Sequence, residues 1–138
     1  MRRAIALAAL IAATAVAGTA VAEHWTKYVD ADGGTAWSYD GDYSYKDKAT
    51  GRLVIMQAIS KPAASLGPSG PGKPDGVGSI VALDCAKKNL IVVGSYTPSK
   101  PMDEKANWRS DTPKRAAGAE NQALMAAVCP HIDQVPEK

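Results

Sequence analysis

Two cysteines, Cys85 and Cys129, constrain this chain more than any other feature of its sequence. They are the only cysteines among 138 residues, so a disulfide within the chain can form in one way only. Such a bond closes a loop of about 45 residues, which the chain-entropy relation values at about 4 kcal/mol, a large share of the stability of a typical domain. If the chain folds in an oxidising compartment, we therefore expect a Cys85–Cys129 disulfide to cross-link and stabilise it.

The N-terminal segment predicts export to such a compartment. Met1-Arg2-Arg3 gives a positive start, an apolar run extends from Ala4 to Ala17, and Ala20-Val21-Ala22 supplies the small residues that signal peptidases accept. We interpret residues 1–22 as a signal peptide. The alternative is a membrane anchor, because the segment approaches the roughly 20 residues that cross a bilayer, but its alanine-rich composition is only weakly apolar. We expect a periplasmic or secreted product without a membrane span.

The charge balance changes once this segment is removed. The full chain carries 16 basic and 14 acidic residues, and two of the basic ones are Arg2 and Arg3. The mature domain at 23–138 then holds 14 of each sign, which argues against a nucleic-acid partner because phosphate contacts need a clustered basic surplus. Its length fits one domain with a modest core. The oligomeric state is left open.

Short segments rich in aromatic, aliphatic and β-branched residues alternate with turn signals and predict six strands. The segments are Trp25–Val29, Thr35–Tyr39, Tyr43–Tyr45, Leu53–Ile59, Ser79–Asp84 and Leu90–Tyr96. Glycines within Asp30–Gly34 and Asp40–Asp42 favour turns between the first three. Residues 61–78 hold four prolines and five glycines, which predicts a long loop because neither residue type sustains a strand ladder.

One mature segment has the composition of a helix. Ala116–Val128 is alanine-rich, Thr112-Pro113 offers an N-cap followed by proline, and Pro130 stops continuation. Strands followed by a single helix predict an α+β fold, in which a C-terminal helix covers one face of an antiparallel sheet. Because the two cysteines follow a strand and the helix, their bond would pin the helix to the sheet.

Two groups of residues are candidates for binding. Four rings at alternate positions of neighbouring segments would suit protein or carbohydrate contacts if the sheet exposes them. The alternative is a core role, since the chain has no phenylalanine and tryptophan and tyrosine must supply its bulky residues. Two adjacent lysines in a hairpin turn offer charge to an acidic partner, or are simply solvated. The candidates are Trp37, Tyr39, Tyr43, Tyr45, Lys87 and Lys88.

The sequence contains no catalytic or metal-binding motif. His24 and His131 lack a second ligand at a metal-site spacing, and the calcium-loop pattern starting at Asp30 would place Gly41 where a glutamate is required. There is no nucleophile elbow, and both cysteines are assigned to the disulfide. We expect a non-enzymatic protein without metal or cofactor. An enzyme would need a pocket of convergent polar groups that the linear sequence does not reveal.

The order of several short motifs resembles that of the surface-adhesin protein E-like family of small exported bacterial domains. The motifs are Trp25 in a first strand, the Asp40 and Ser44 pair, Asp84-Cys85-Ala86 followed by Lys87-Lys88, Trp108-Arg109, and a terminal Val128-Cys129. The resemblance spans most of the mature chain. It implies an antiparallel sheet with a flanking helix and a disulfide joining the strand region to that helix. For adhesive members it also implies binding of matrix and plasma proteins such as laminin and vitronectin.

We therefore expect a non-enzymatic exported binding module whose partner is an extracellular or periplasmic protein. The chain lacks the lipid-attachment cysteine with which adhesive members stay on the cell surface. A second hypothesis is accordingly a periplasmic structural or stress-related domain.

Overall fold

The computed structural model describes residues 24–64, 66 and 75–138. The signal peptide expected at 1–22 and the middle of the loop expected at 61–78 lie outside these residues. The described part of the chain forms seven strands, one α-helix and three short 3₁₀ helices, the latter at Asp32–Gly34, Trp108–Ser110 and Cys129–Gln134. The strands and the α-helix are β1 (Trp25–Asp30), β2 (Ala36–Lys46), β3 (Leu53–Ser60), β4 (Val77–Asp84), β5 (Asn89–Tyr96), β6 (Asp103–Glu104), β7 (Lys114–Arg115) and α1 (Ala119–Val128).

The strands form one antiparallel sheet in the order β1-β2-β3-β4-β5-β6, with β7 also paired to β5. The predicted α+β fold is confirmed. β1 to β5 pair as consecutive neighbours, so short connections suffice to build most of the sheet. No helix in the described residues is long and apolar enough to span a membrane.

The sheet is buried on both faces, which explains why Leu53–Ile59 is an almost unbroken apolar run. Successive side chains of a strand point to opposite faces, so Leu53 and Ile55 pack towards α1 while Val54 and Met56 pack on the other side. α1 contributes Leu124, Met125 and Val128 to the first core. Trp108, which follows β6, joins the second core.

The turn predicted at Asp40–Asp42 is instead a bulge within the single strand β2. Pairing moves from Asp40–Met56 to Tyr45–Val54, so β2 advances five residues while β3 advances two. The buried carboxylate of Asp40 accepts a hydrogen bond from the Asp42 amide (3.0 Å), and the Ser44 hydroxyl donates to the Asp40 carbonyl (3.0 Å). These bonds satisfy polar groups that the bulge removes from the ladder, so the strand continues.

The predicted start of the helix at Ala116 is wrong, because α1 begins at Ala119. Lys114 and Arg115 belong to β7, and the Ala116 amide donates to the Lys88 carbonyl at 3.0 Å. Gly118 follows with φ +91°, a conformation that favours glycine and separates the strand from the helix. Thr112-Pro113 therefore precedes β7 and does not cap the helix.

The predicted Cys85–Cys129 disulfide is present, with the two Cα atoms 5.8 Å apart. Cys85 directly follows β4 and Cys129 directly follows α1. The bond therefore fixes the end of the helix to the β4–β5 turn.

We expect the double variant Cys85→Ala, Cys129→Ala to lose about 4 kcal/mol of unfolding free energy, because its unfolded chain regains the entropy that the cross-link removes. Urea unfolding followed by circular dichroism measures the loss. Intact mass of the oxidised wild-type protein after thiol blocking is the companion measurement. Two blocked cysteines in folded protein would show that the bond does not form.

Candidate functional site

A groove of about 970 Å³ lies between the β4–β5 turn, the β7 segment and the C-terminal half of α1. Its volume is at the upper end of the range typical of ligand pockets. Cys85 and Cys129 both line it, so the disulfide joins two of its walls. The groove is therefore the candidate functional site.

The β4–β5 turn presents Lys87 and Lys88 to this groove. The Asp84 carboxylate accepts hydrogen bonds from the amides of Ala86 (3.1 Å) and Lys87 (2.9 Å), and Lys88 adopts a positive φ of +53°. Both lysine side chains are exposed. A locally hydrogen-bonded turn thus holds two adjacent cations at one wall.

Arg115 adds a third cation from the opposite side of the turn. β7 pairs Arg115 with Asn89, and the neighbouring bond between the Ala116 amide and the Lys88 carbonyl secures the same contact. Sequence reasoning missed Arg115, because a two-residue strand has no periodicity to recognise. The only available signal was a second basic pair, Lys114-Arg115.

The groove concentrates positive charge on a chain in which residues 23–138 carry equal numbers of basic and acidic side chains. Lys87, Lys88 and Arg115 form no ion pair with the described residues, and no carboxylate lines the groove. Behind this wall, the Arg52 guanidinium donates to the Asn89 side-chain carbonyl at 2.9 Å and adds a fourth positive charge. Grouped charges of one sign attract an anionic partner over a distance set by the ionic strength.

The remaining lining is largely apolar. Met125 and Ala116 are 9% and 6% exposed and belong to the core on the helix side. Pro113, Pro130 and Ala126 extend this surface along the groove. The site can therefore bury apolar groups as well as pair with negative charge.

The four candidate aromatic residues lie outside the groove and do not share a face. Tyr39 packs against the core beneath α1, with its ring centroid 6.2 Å from that of Tyr28. Tyr43 and Tyr45 pack against the opposite core, 6.3 Å from each other. The bulge of β2 causes this change of face. All four rings, including Trp37, are half-buried, and their role in binding stays a prediction.

Tyr43 is further occupied by a hydrogen bond, which its hydroxyl donates to the Glu104 carboxylate. Burial raises the pKa of Tyr43 far above its ordinary value, and the Glu104 hydrogen bond adds to this. The contact ties β2 to β6 and leaves the hydroxyl neutral.

Trp108 packs into the second core, and Arg109 anchors the same segment to Asp47. The buried Asp47 carboxylate accepts hydrogen bonds from Arg109 Nη2 (2.6 Å) and Nε (3.0 and 3.1 Å). Thr50 donates to the same carboxylate through its hydroxyl (2.7 Å) and amide (3.1 Å). The Arg109 guanidinium lies 4.6 Å from the centre of the Trp108 ring. All these contacts are internal, which indicates a structural role.

The fold shifts the pKa values of two buried aspartates in opposite directions. One of them, Asp40, lies in β2, and the other, Asp47, lies in the turn that follows. The hydrogen bond from Arg109 lowers the pKa of Asp47 below its ordinary value, and Thr50 contributes to the same effect. Burial raises the pKa of Asp40, although backbone amides partly offset this. Relative to the unfolded chain, the fold therefore makes Asp47 easier to ionise and Asp40 harder to ionise.

No metal site emerges in the part of the chain that the structure describes, where no three histidine, cysteine or acidic residues are grouped to hold an ion. His24 is exposed, with its Nδ1 atom 2.9 Å from Asp42 Oδ2. The segment considered for calcium forms a 3₁₀ turn at Asp32–Gly34.

Comparison with known proteins gives no relative: no family model, curated protein or solved structure matches the chain. The resemblance to the surface-adhesin protein E-like family rests on motif order alone.

We expect Asp47→Asn to lower the unfolding free energy by about 2 kcal/mol at neutral pH, because the charge-assisted hydrogen bonds from Arg109 and Thr50 lose their anionic acceptor. The depressed pKa of Asp47 stabilises the fold above the ordinary aspartate pKa of about 3.9, and that stabilisation fades as the pH falls below it. The variant should therefore lose less stability than wild type on acidification. Urea unfolding across pH 2 to 7 measures this.

Asp133→Asn, at an exposed site, is the matched control and should follow the wild-type profile. An Asp47→Asn profile as steep in acid as that of wild type would show that Asp47 does not couple folding to pH.

Proposed function

We propose that the mature chain is an exported, non-enzymatic binding module, similar in type to the surface-adhesin protein E-like domains, that holds a partner protein in the groove beside its disulfide. The proposal is supported by three cations, Lys87, Lys88 and Arg115, that form no ion pair with any described residue and surround an apolar floor.

The composition of the groove favours binding over catalysis. Among the described residues its lining contains no histidine, carboxylate or hydroxyl group, and of the usual general bases and nucleophiles it holds only the exposed Lys87 and Lys88. Its two cysteine sulfur atoms are bonded to each other. What the groove supplies is positive charge, the side-chain amides of Asn89 and Gln122, and apolar surface.

The disulfide supports this function by limiting the movement of the groove walls. One wall belongs to the β4–β5 turn and another to α1, and Cys85–Cys129 links them covalently. A preorganised site loses less conformational entropy when it binds, so more of the contact energy becomes affinity. A structural disulfide is also compatible with the exported location expected from the N-terminal segment.

The adhesive form of the proposal names extracellular matrix and plasma proteins, with laminin and vitronectin as the first to test. The periplasmic form assigns the groove to a partner inside the cell envelope. Cell fractionation distinguishes them, because a protein retained in the periplasm has no route to external partners.

For the adhesive form, we expect the folded mature domain to bind laminin or vitronectin on a sensor surface, and Lys87→Glu, Lys88→Glu, Arg115→Glu to weaken that binding by about tenfold or more. Reversed charges in the groove repel the acidic surface that the wild-type cations attract. Heat-denatured protein is the negative control.

The matched control reverses three exposed lysines elsewhere, as Lys48→Glu, Lys61→Glu, Lys100→Glu. This variant has the same net charge and should retain most of the binding. Equal losses in both variants would show that net charge, rather than the groove, governs the interaction. Absence of binding by folded wild-type protein would remove the adhesive form.

A further inference from the structure

The groove combines charged and apolar surfaces that together restrict its ligand. Arg115 presents a planar guanidinium suited to two-point contact with a carboxylate, whereas Lys87 and Lys88 act as mobile point charges. Lys87, Lys88 and Arg115 form no ion pair with the described residues, so they can meet charges that the ligand brings.

The floor of the groove favours a ligand with apolar side chains. The exposed residues Pro113, Ala126 and Pro130 supply most of this apolar surface, and Met125, which is 9% exposed, contributes a small part of it. A sulfated polysaccharide would satisfy the cations but has no aliphatic side chain to cover this floor. A peptide that alternates acidic with apolar residues satisfies both surfaces.

The backbone around the groove is already paired, which restricts how a peptide can be recognised. The Lys88 carbonyl accepts the Ala116 amide, and β7 pairs with Asn89 and Leu90 at the adjoining edge of β5. A ligand cannot add there as a further strand without displacing β7. Recognition must therefore act mainly through ligand side chains, in contrast to strand-addition modules.

We infer that the groove binds a short acidic peptide segment in which carboxylates contact Lys87, Lys88 and Arg115 while at least one neighbouring aliphatic side chain lies on the floor at Met125. This inference rests on the proposed function and names the ligand chemistry of the same site.

Isothermal titration of the oxidised mature domain with four probes tests the inference. The probes are a peptide alternating glutamate with leucine, a glutamate–serine peptide of equal length and charge, a lysine–leucine peptide, and a heparin fragment. The glutamate–leucine peptide should bind on the order of tenfold more tightly than each of the others, and its affinity should fall as salt is raised.

Variants locate the binding and separate it from stability. Lys87→Gln, Lys88→Gln, Arg115→Gln should weaken binding of the glutamate–leucine peptide on the order of tenfold, and Arg115→Lys should restore part of the loss when it replaces Arg115→Gln. Lys48→Gln, Lys61→Gln, Lys100→Gln is the control and should leave affinity unchanged. The melting temperature of each variant, measured alongside, shows that the groove variant is folded.

The possible failures are distinct. Equal or tighter binding of the glutamate–serine peptide or of heparin overturns the inference and assigns the groove to polyanions. If the wild-type domain binds a partner protein but no peptide, and the groove substitutions abolish binding of that partner, the inference is wrong and the proposed function stands. If neither peptides nor partner proteins bind, both are wrong. If the groove variant melts at a lower temperature but keeps full affinity for the peptide, the three cations contribute to stability and not to binding.

Discussion

The covalent link between α1 and the β4–β5 turn is the constraint on which the groove depends. α1 has only ten residues, too few for an isolated helix to be stable in water, so its position is set by tertiary contacts. Leu124, Met125 and Val128 provide the apolar part of these contacts, and the Cys85–Cys129 bond fixes the end of the helix. The same bond determines how far the two walls lie apart.

The sequence predicted the central part of the fold well. β3, β4 and β5 are apolar runs bounded by turn residues, and their ends differ from expectation by at most two residues. Because the chain has only two cysteines, the pairing of the disulfide could be predicted without knowledge of the geometry. The expected helix over Ala116–Val128 was correct in type and in its last residue.

The parts that were wrong depend on tertiary contacts that local sequence does not encode. Asp40-Gly41-Asp42 has turn composition, but hydrogen bonds from Asp42 and Ser44 to Asp40 keep it within β2 as a bulge. Ala116 has high helix propensity, yet its amide pairs with Lys88 and its side chain is buried in the core. Because β7 was not predicted, the third cation of the groove was missed, although its two lysines had been identified.

Several residues that carry the family resemblance have structural roles. Asp40 and Ser44 stabilise the bulge, whereas Trp108 and Arg109 cover the second core and pair with the buried carboxylate of Asp47. They account for the fold rather than for binding. The aromatic residues of β2 are likewise partly packed into the two cores. The side chains of Lys87, Lys88 and Arg115, in contrast, line the groove and take part in none of these contacts.

Hydrogen exchange followed by mass spectrometry, on the oxidised domain with and without the glutamate–leucine peptide, tests this account most directly. The peptide should slow exchange in residues 86–90, 113–117 and 122–130, which form the walls of the groove, and should leave exchange in β1 and in the bulge of β2 unchanged. Slower exchange confined to β1 or to the bulge, with the groove segments unaffected, would contradict this account.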